Sequence, residues 1–217
     1  MSKILILGVG RSGTTALLRG LGHCLSYKKY GEPFHYLREP IHTIEQVLSH
    51  KNVIVKTLID QMDYEHWVNF EGDIEDFFKK TIDFNLNFLK NFDHVILLDR
   101  KNQKENIESR IYQKTYGNRY TWHIPYFIDP SPFKNDKFYK AIKDRVTYGG
   151  KSIETVSKQI NIPITWYEDL YSGDKNKIKP IIDSWGLEIE IEKLYPYLDP
   201  SKRYRKSKKS DLHKRII

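Results

Sequence analysis

Short apolar runs alternate along this chain with longer segments in which apolar residues recur at helical spacing. The apolar runs predict buried strands at residues 3–8, 52–56, 94–98 and 162–166. The helical spacing predicts helices at residues 14–22, 43–50, 73–89, 102–115, 136–160 and 174–185, with an interruption at Gly149-Gly150, while residues 23–43 read as irregular. Because strands alternate with helices, we expect an α/β fold, in which helices flank a mainly parallel central sheet in three layers.

A glycine-rich turn follows the first predicted strand directly. Residues 8–15 read GVGRSGTT, and helix-compatible residues follow them. Glycines let a backbone approach an anion, and the amides at a helix N-terminus point towards it with partial positive charge. We therefore predict a P-loop-like phosphate cradle formed by Gly10, Arg11, Ser12, Gly13, Thr14 and Thr15.

This cradle differs from a nucleotide P-loop at one position. The spacing Gly8-x4-Gly13 is that of a P-loop, but Thr14 occupies the place of the lysine that reaches the β- and γ-phosphates. The missing lysine argues against ordinary ATP or GTP chemistry. Arg11 offers a cation inside the loop instead.

Length and composition predict a single domain with a sizeable core. The chain has 217 residues, of which 39% are hydrophobic and 13% aromatic. No apolar run approaches the ~20 residues that span a bilayer, and the immediate entry into a strand predicts that there is no secretory signal. Cys24 is the single cysteine, which excludes an intrachain disulfide and makes the cytoplasm the expected compartment.

The net charge of +8 is concentrated at the carboxyl end of the chain. Residues 202–217 hold eight Lys or Arg and one acid, Asp211, so this basic tail carries +7 and the rest of the chain +1. Such a tail can be a solvated end, a patch for nucleic acid or membrane, or a cap on an anionic ligand. All three interpretations stay open at this point.

Residues 116–135 depart from the alternation of strands and helices. Six aromatic residues are interleaved there with Arg119, His123 and three prolines. A segment of this composition and length is either a lid over a binding site or an irregular segment that packs over the core.

Three blocks of the chain resemble sulfotransferases that use 3′-phosphoadenosine 5′-phosphosulfate (PAPS). Residues 10–15 read GRSGTT. They resemble the 5′-phosphosulfate loop of carbohydrate-type members, which has RSGSS or RTGTT in place of RSGTT. The strand at 94–98, the pair Arg100-Lys101 and Ser109 on the next helix resemble the 3′-phosphate site. Residues 167–170, YEDL, are similar to the block that closes a late strand. The blocks occur in family order and cover residues 3–22, 94–111 and 162–190.

The resemblance implies transfer of a sulfuryl group from PAPS to a hydroxyl acceptor, with a sugar or small metabolite favoured and no metal required. The loop would hold the 5′-phosphosulfate, and Ser109 would hold the 3′-phosphate with either Arg100 or Lys101. In the family a basic C-terminal segment closes over the 3′-phosphate, and its closest match here contains Arg203, Arg205 and Lys206. The product of the donor would be adenosine 3′,5′-bisphosphate.

The resemblance also suggests which residues act on the reacting groups. Arg11 would stabilise the leaving phosphate oxygen. Cytosolic members have a histidine after a Lys-Thr pair, but Leu58 follows Lys56-Thr57 here. Residues 31–34, GEPF, resemble the acidic element of carbohydrate-type and bacterial members, so Glu32 is the preferred general base. His35 and Lys56 are further candidates for contact with the acceptor.

Two alternatives come from other classes of protein. A nucleotide or small-molecule kinase with a degenerate P-loop would need a Mg²⁺ ligand, for which Asp60 and Asp99 are candidates. A nucleic-acid-binding module would use the basic tail. The terminal position of that charge, with no element to read bases, argues against nucleic acid as the partner.

Overall fold

The central sheet has five parallel strands, one more than the sequence predicts. The computed structural model describes residues 2–34, 42–60, 72–116 and 137–199. Within them the strands, in the order β2-β3-β1-β4-β5 across the sheet, are β1 (Lys3–Gly8), β2 (Lys28–Gly31), β3 (Val53–Leu58), β4 (His94–Asp99) and β5 (Ile164–Trp166). Strand β2 lies in the stretch 23–43 that was expected to be irregular. It escapes prediction because its sequence KKYG is polar, in keeping with a half-exposed strand at the edge of the sheet.

Eight helices connect and flank these strands in the described part of the chain. They are α1 (Thr14–Leu25), α2 (Ile44–Leu48), α3 (Ile74–Leu89), α4 (Gln103–Tyr116), α5 (Lys137–Ile160), α6 (Tyr167–Leu170), α7 (Lys175–Asp183) and α8 (Ile191–Leu198). None of them combines the length and apolar character that a membrane crossing requires. The interruption expected at Gly149-Gly150 is wrong, because α5 runs through both glycines. The reason is close packing: a Cβ on Gly150 would lie 3.2 Å from Oδ2 of Asp99.

Apolar side chains cover both faces of the sheet, which confirms the expected three-layer α/β arrangement. In β1, Ile4 and Ile6 point to one face, whereas Leu5 and Leu7 point to the other. The first face packs against α1, α6, α7 and α8, and the second against α2, α3 and α5. Burying each Leu or Ile contributes about 1.5–3 kcal/mol. The two apolar layers therefore stabilise the sheet on both faces.

The register of the strands brings several candidate residues to one edge of the sheet. Gly8 pairs with Leu58 of β3 on one side and with Leu98 of β4 on the other. The carboxyl ends of β3, β1 and β4 therefore lie side by side, next to the glycine-rich turn. Ligands of parallel α/β sheets bind at this edge.

Candidate functional site

The glycine-rich turn between β1 and α1 is closed by its own hydrogen bonds. Both the amide and the hydroxyl of Ser12 donate to the carbonyl of Val9, at 3.2 and 2.6 Å. Arg11 and Gly13 adopt left-handed backbone conformations, with φ of 72° and 86°. At Gly13 a side chain would also collide with the ring of Tyr171, whose hydroxyl donates to the Gly13 carbonyl at 2.6 Å. The turn therefore requires glycine at position 13, and Tyr171 anchors it from α6's C-terminal end.

The turn leads directly into the N-terminus of α1. The N-cap of α1 is Gly13, which has no side chain that could cap the first amides of the helix. The side chains of Ser12 and Thr14 are buried, whereas that of Thr15 is exposed. Uncapped amides at a helix N-terminus carry partial positive charge, and anions bind there. The structure thus has a tight turn between the first strand and helix α1, and the binding of a phosphate by this turn stays a prediction.

Helix α4 lies against this loop through two adjacent side chains. Nε of Arg11 donates to Oγ of Ser109 at 2.9 Å. A Cβ on Gly10 would lie only 2.5 Å from Nη2 of Arg110, so the Arg110 guanidinium fills the space beside that glycine. The structure thereby joins Arg11 and Ser109, which the sequence assigned to two different anion sites. Arg110 was not predicted as a site residue, although it directly follows Ser109.

Arg100 and Lys101 have carboxylate partners rather than Ser109. The buried Arg100 donates through Nη2 to Glu105 at 2.5 Å, and its guanidinium stacks 4.2 Å from the centre of the Tyr167 ring. Lys101 is half exposed, and its Nζ donates to both carboxylate oxygens of Asp169, at 2.9 and 2.7 Å. The structure therefore brings Arg11, and neither of these two cations, into contact with Ser109.

The cations around the loop are close enough to influence one another. Burial lowers the pKa of Arg11, and the charges of Arg100 and Arg110 lower it further. Burial is also the main reason why the pKa of Arg110 lies below its ordinary value. Like charges that repel one another in a partly buried site favour the binding of an anion.

Glu32 and Lys56 form a buried ion pair beside the loop. Nζ of Lys56 donates to the carboxylate of Glu32, and the Glu32 amide donates to the Lys56 carbonyl at 2.6 Å. Burial lowers the pKa of Lys56 to about 7, with a further lowering by the Arg11 charge. Glu32 has φ of 56°, a conformation that costs a non-glycine residue about 1–2 kcal/mol. Burial therefore weakens the hold of Lys56 on its proton, at a position where the backbone of its partner Glu32 is strained.

Asp60 connects two helices from just beyond the end of β3. Its buried carboxylate lies 2.6 Å from Nε of Arg145 on α5 and 3.9 Å from Nη1 of Arg110 on α4. Burial would raise the pKa of Asp60, but the charges of Arg145 and Arg110 hold it below the ordinary value. Asp60 is therefore an anion engaged with arginine.

Asp99, at the end of β4, has a different environment. Its Oδ1 accepts a hydrogen bond of 2.7 Å from the Arg100 amide. Burial nevertheless raises the pKa of Asp99 to about 6, and the nearby charges of Glu154 and Glu168 add to the effect. Among the described residues, no group of three or more His, Cys, Asp and Glu side chains is arranged to hold a metal ion.

Several predicted site residues lie outside the described residues. They are His35 and the basic residues Arg203, Arg205 and Lys206. Almost the whole aromatic segment 116–135 and the entire basic tail 202–217 lie outside them too.

No protein-family model matches the chain, and no curated protein sequence matches it. The chemistry of the loop and of the side chains around it is therefore the basis for a functional proposal.

Proposed function

We propose that the protein is a sulfotransferase that transfers the sulfuryl group of PAPS to a hydroxyl acceptor, with a sugar or small metabolite favoured. The observation that carries this proposal is the hydrogen bond of 2.9 Å between Arg11 and Ser109. These residues belong to the two blocks that resemble the donor-binding blocks of such enzymes. A single ligand with two anionic ends would use both blocks, and the contact shows that the two blocks are neighbours in the fold.

The distribution of charge supports an anionic donor. Burial lowers the pKa of Arg11 most, and repulsion by the charges of Arg100 and Arg110 lowers it further. A bound anion would relieve this repulsion through charge-assisted hydrogen bonds. The phosphosulfate and the 3′-phosphate of PAPS together supply several negative charges.

Each group would have one role in the transfer. The amides at the start of α1 would bind the phosphosulfate, and the acceptor hydroxyl oxygen would attack sulfur as the bond from sulfur to the bridging phosphate oxygen breaks. Arg11 would stabilise the electron pair that remains on the phosphate oxygen. Glu32 would accept the hydroxyl proton, and Lys56 would hold the carboxylate in position. The arginines supply the positive charge, so the proposal includes no metal ion.

The alternative function, a nucleotide or small-molecule kinase, has less support at the same site. Thr14 stands where a P-loop lysine would reach the phosphates. Asp60, the carboxylate best placed to hold Mg²⁺ at the end of β3, already contacts Arg145 at 2.6 Å. An aspartate with an arginine partner is a poor candidate for a magnesium ligand, since the metal would have to displace the guanidinium.

The proposal is tested by incubating the full chain with sulfur-labelled PAPS and panels of sugars, phenols, small alcohols and tyrosine peptides. Transfer of label to one acceptor class, together with formation of adenosine 3′,5′-bisphosphate, would support it. Transfer of phosphate from labelled ATP with Mg²⁺ to the same acceptors, without sulfuryl transfer, would overturn it in favour of a kinase. A cytoplasmic location, expected from the single Cys24, stays part of the proposal.

A further inference from the structure

Arg110 has hydrogen-bonding capacity that the described structure leaves unused. Its side chain is only 13% exposed, and its Nε is buried without a hydrogen-bond partner among the described residues. Its contact with Asp60 is long, at 3.9 Å. A guanidinium has five N–H donors, and a buried donor without a partner is costly. Such a side chain is suited to a ligand rather than to a purely structural role.

The Nε without a partner in the described part of the chain lies beside the glycine-rich loop, 3.4 Å from the position that a Cβ on Gly10 would take. Nη2 of Arg110 packs against Gly10, so closely that a Cβ there would lie 2.5 Å away. The neighbouring residue, Ser109, contacts Arg11. Two consecutive residues of α4 thus reach two consecutive residues of the loop. A planar guanidinium binds the oxygens of phosphate or sulfate groups in a bidentate manner, which lysine cannot do.

Asp60, which is itself held by Arg145, faces Arg110 at this position. Asp60 is 2% exposed and lies between the guanidinium groups of Arg145 on α5 and Arg110 on α4. Their charges keep the pKa of Asp60 low, so the carboxylate stays ionised between them. Asp60 faces Nη1 at 3.9 Å, so the edge of the Arg110 guanidinium that carries Nε and Nη2 is left for a ligand at the loop.

We propose that Arg110 is an anion-binding residue that contacts the phosphosulfate end of the donor from α4, while Arg11 contacts it from the loop. This inference rests on the proposed function for the identity of the anion. Asp60 is a positioning residue in this arrangement. Gly10 lets the backbone approach an anion, and its missing side chain also leaves the space that the Arg110 guanidinium occupies.

The test measures calorimetric affinity of the full chain for pyrophosphate, which presents two linked tetrahedral anions without adenosine or a 3′-phosphate. Arg110→Met removes the charge and keeps an apolar stem, and Arg110→Lys keeps the charge without the planar fork. Lys104→Met is the matched control, because Lys104 lies on the same helix and its side chain is 85% exposed. We expect Arg110→Met to weaken pyrophosphate binding about 10- to 100-fold, Arg110→Lys at least about 5-fold, and Lys104→Met less than about 2-fold.

Circular dichroism identifies the variants that fold. Unchanged pyrophosphate affinity in either Arg110 variant that folds would overturn the inference, as would a wild-type protein that binds no pyrophosphate. Adenosine 3′,5′-bisphosphate and AMP, measured in parallel, separate this outcome from failure of the proposed function. Pyrophosphate binding that depends on Arg110, with no preference for the bisphosphate, would support the anion site and count against PAPS. A preference for the bisphosphate, with affinities for pyrophosphate and for both nucleotides that Arg110→Met leaves unchanged, would overturn this inference alone.

Discussion

The guanidinium of Arg11 and the hydroxyl of Ser109 are joined by a hydrogen bond of 2.9 Å although they lie 98 positions apart in the chain. One belongs to the loop after the first strand and the other to the helix after the fourth. Because β1 and β4 are neighbours in the sheet, their carboxyl ends deliver both side chains to one place. The contact places the loop directly against helix α4.

The loop cation is the first target for substitution. We expect Arg11→Ala to lower the rate of sulfuryl transfer about 10²–10³-fold, because a positioned charge at the leaving oxygen is lost. Arg19→Ala is the matched control, since Arg19 is exposed on α1, close in sequence to the loop. Steady-state kinetics with both variants checks this prediction. Near-normal turnover of Arg11→Ala would remove the loop from the mechanism.

Glu32 should affect the chemical step more than donor binding. We expect Glu32→Gln to lower kcat about 10²–10⁴-fold while the KM for PAPS changes little, because an amide cannot accept the acceptor's proton. Glu45→Gln serves as the control, as Glu45 is an exposed carboxylate on α2. A loss confined to the KM for PAPS would show that Glu32 acts in donor binding instead.

Tyr171 allows a test of how the loop is held. Its hydroxyl donates to the Gly13 carbonyl at 2.6 Å, whereas the Tyr195 hydroxyl donates to the Gly173 carbonyl at 2.7 Å. We expect Tyr171→Phe and Tyr195→Phe to lower the free energy of unfolding similarly, by about 0.5–1.5 kcal/mol. Only Tyr171→Phe should raise the KM for PAPS, because only its partner is part of the loop. Equal donor kinetics in the two variants would contradict this role.

The buried Asp99 predicts a pH dependence of stability. Its pKa is raised from 3.8 to about 6, so the folded state binds more protons than the unfolded state between these values, and stability falls as pH rises through this range. Asp99→Asn keeps an oxygen for the Arg100 amide and removes the titration. Relative to wild type, the variant should therefore gain up to about 3 kcal/mol between pH 4 and pH 7. Urea unfolding at both pH values checks this, and parallel profiles would contradict it.

Much of the fold was predictable because apolar runs mark the buried strands. Strands β1, β3, β4 and β5 all contain such runs, and their predicted bounds differ from the observed ones by two residues at most. Strand β2 was not predictable in this way, since an edge strand that reads KKYG has no apolar run. The continuity of α5 through Gly149-Gly150 depends on close packing against other elements, which local sequence does not encode.

The site was predictable only where a local motif carries it. The loop after β1 is a continuous motif with glycines at fixed spacing, and the structure has the expected turn there. Arg110, Asp60 and Arg145 come from three different elements, and no spacing relates them. The engagement of Lys101 with Asp169 is equally non-local. Such convergence follows from strand order and register, which a single sequence does not display.

The most direct test compares the affinity of the protein for adenosine 3′,5′-bisphosphate with its affinity for AMP, by calorimetry and without any acceptor. A donor site that binds the 3′-phosphate should prefer the bisphosphate by about 10- to 100-fold, since each charge-assisted hydrogen bond contributes about 1.5–3 kcal/mol. The double variant Arg100→Ala/Lys101→Ala tests whether these two cations carry the preference, and we expect it to be lost. Equal affinity of the wild-type protein for the two nucleotides, or tighter binding of ATP with Mg²⁺, would contradict a PAPS-dependent sulfotransferase.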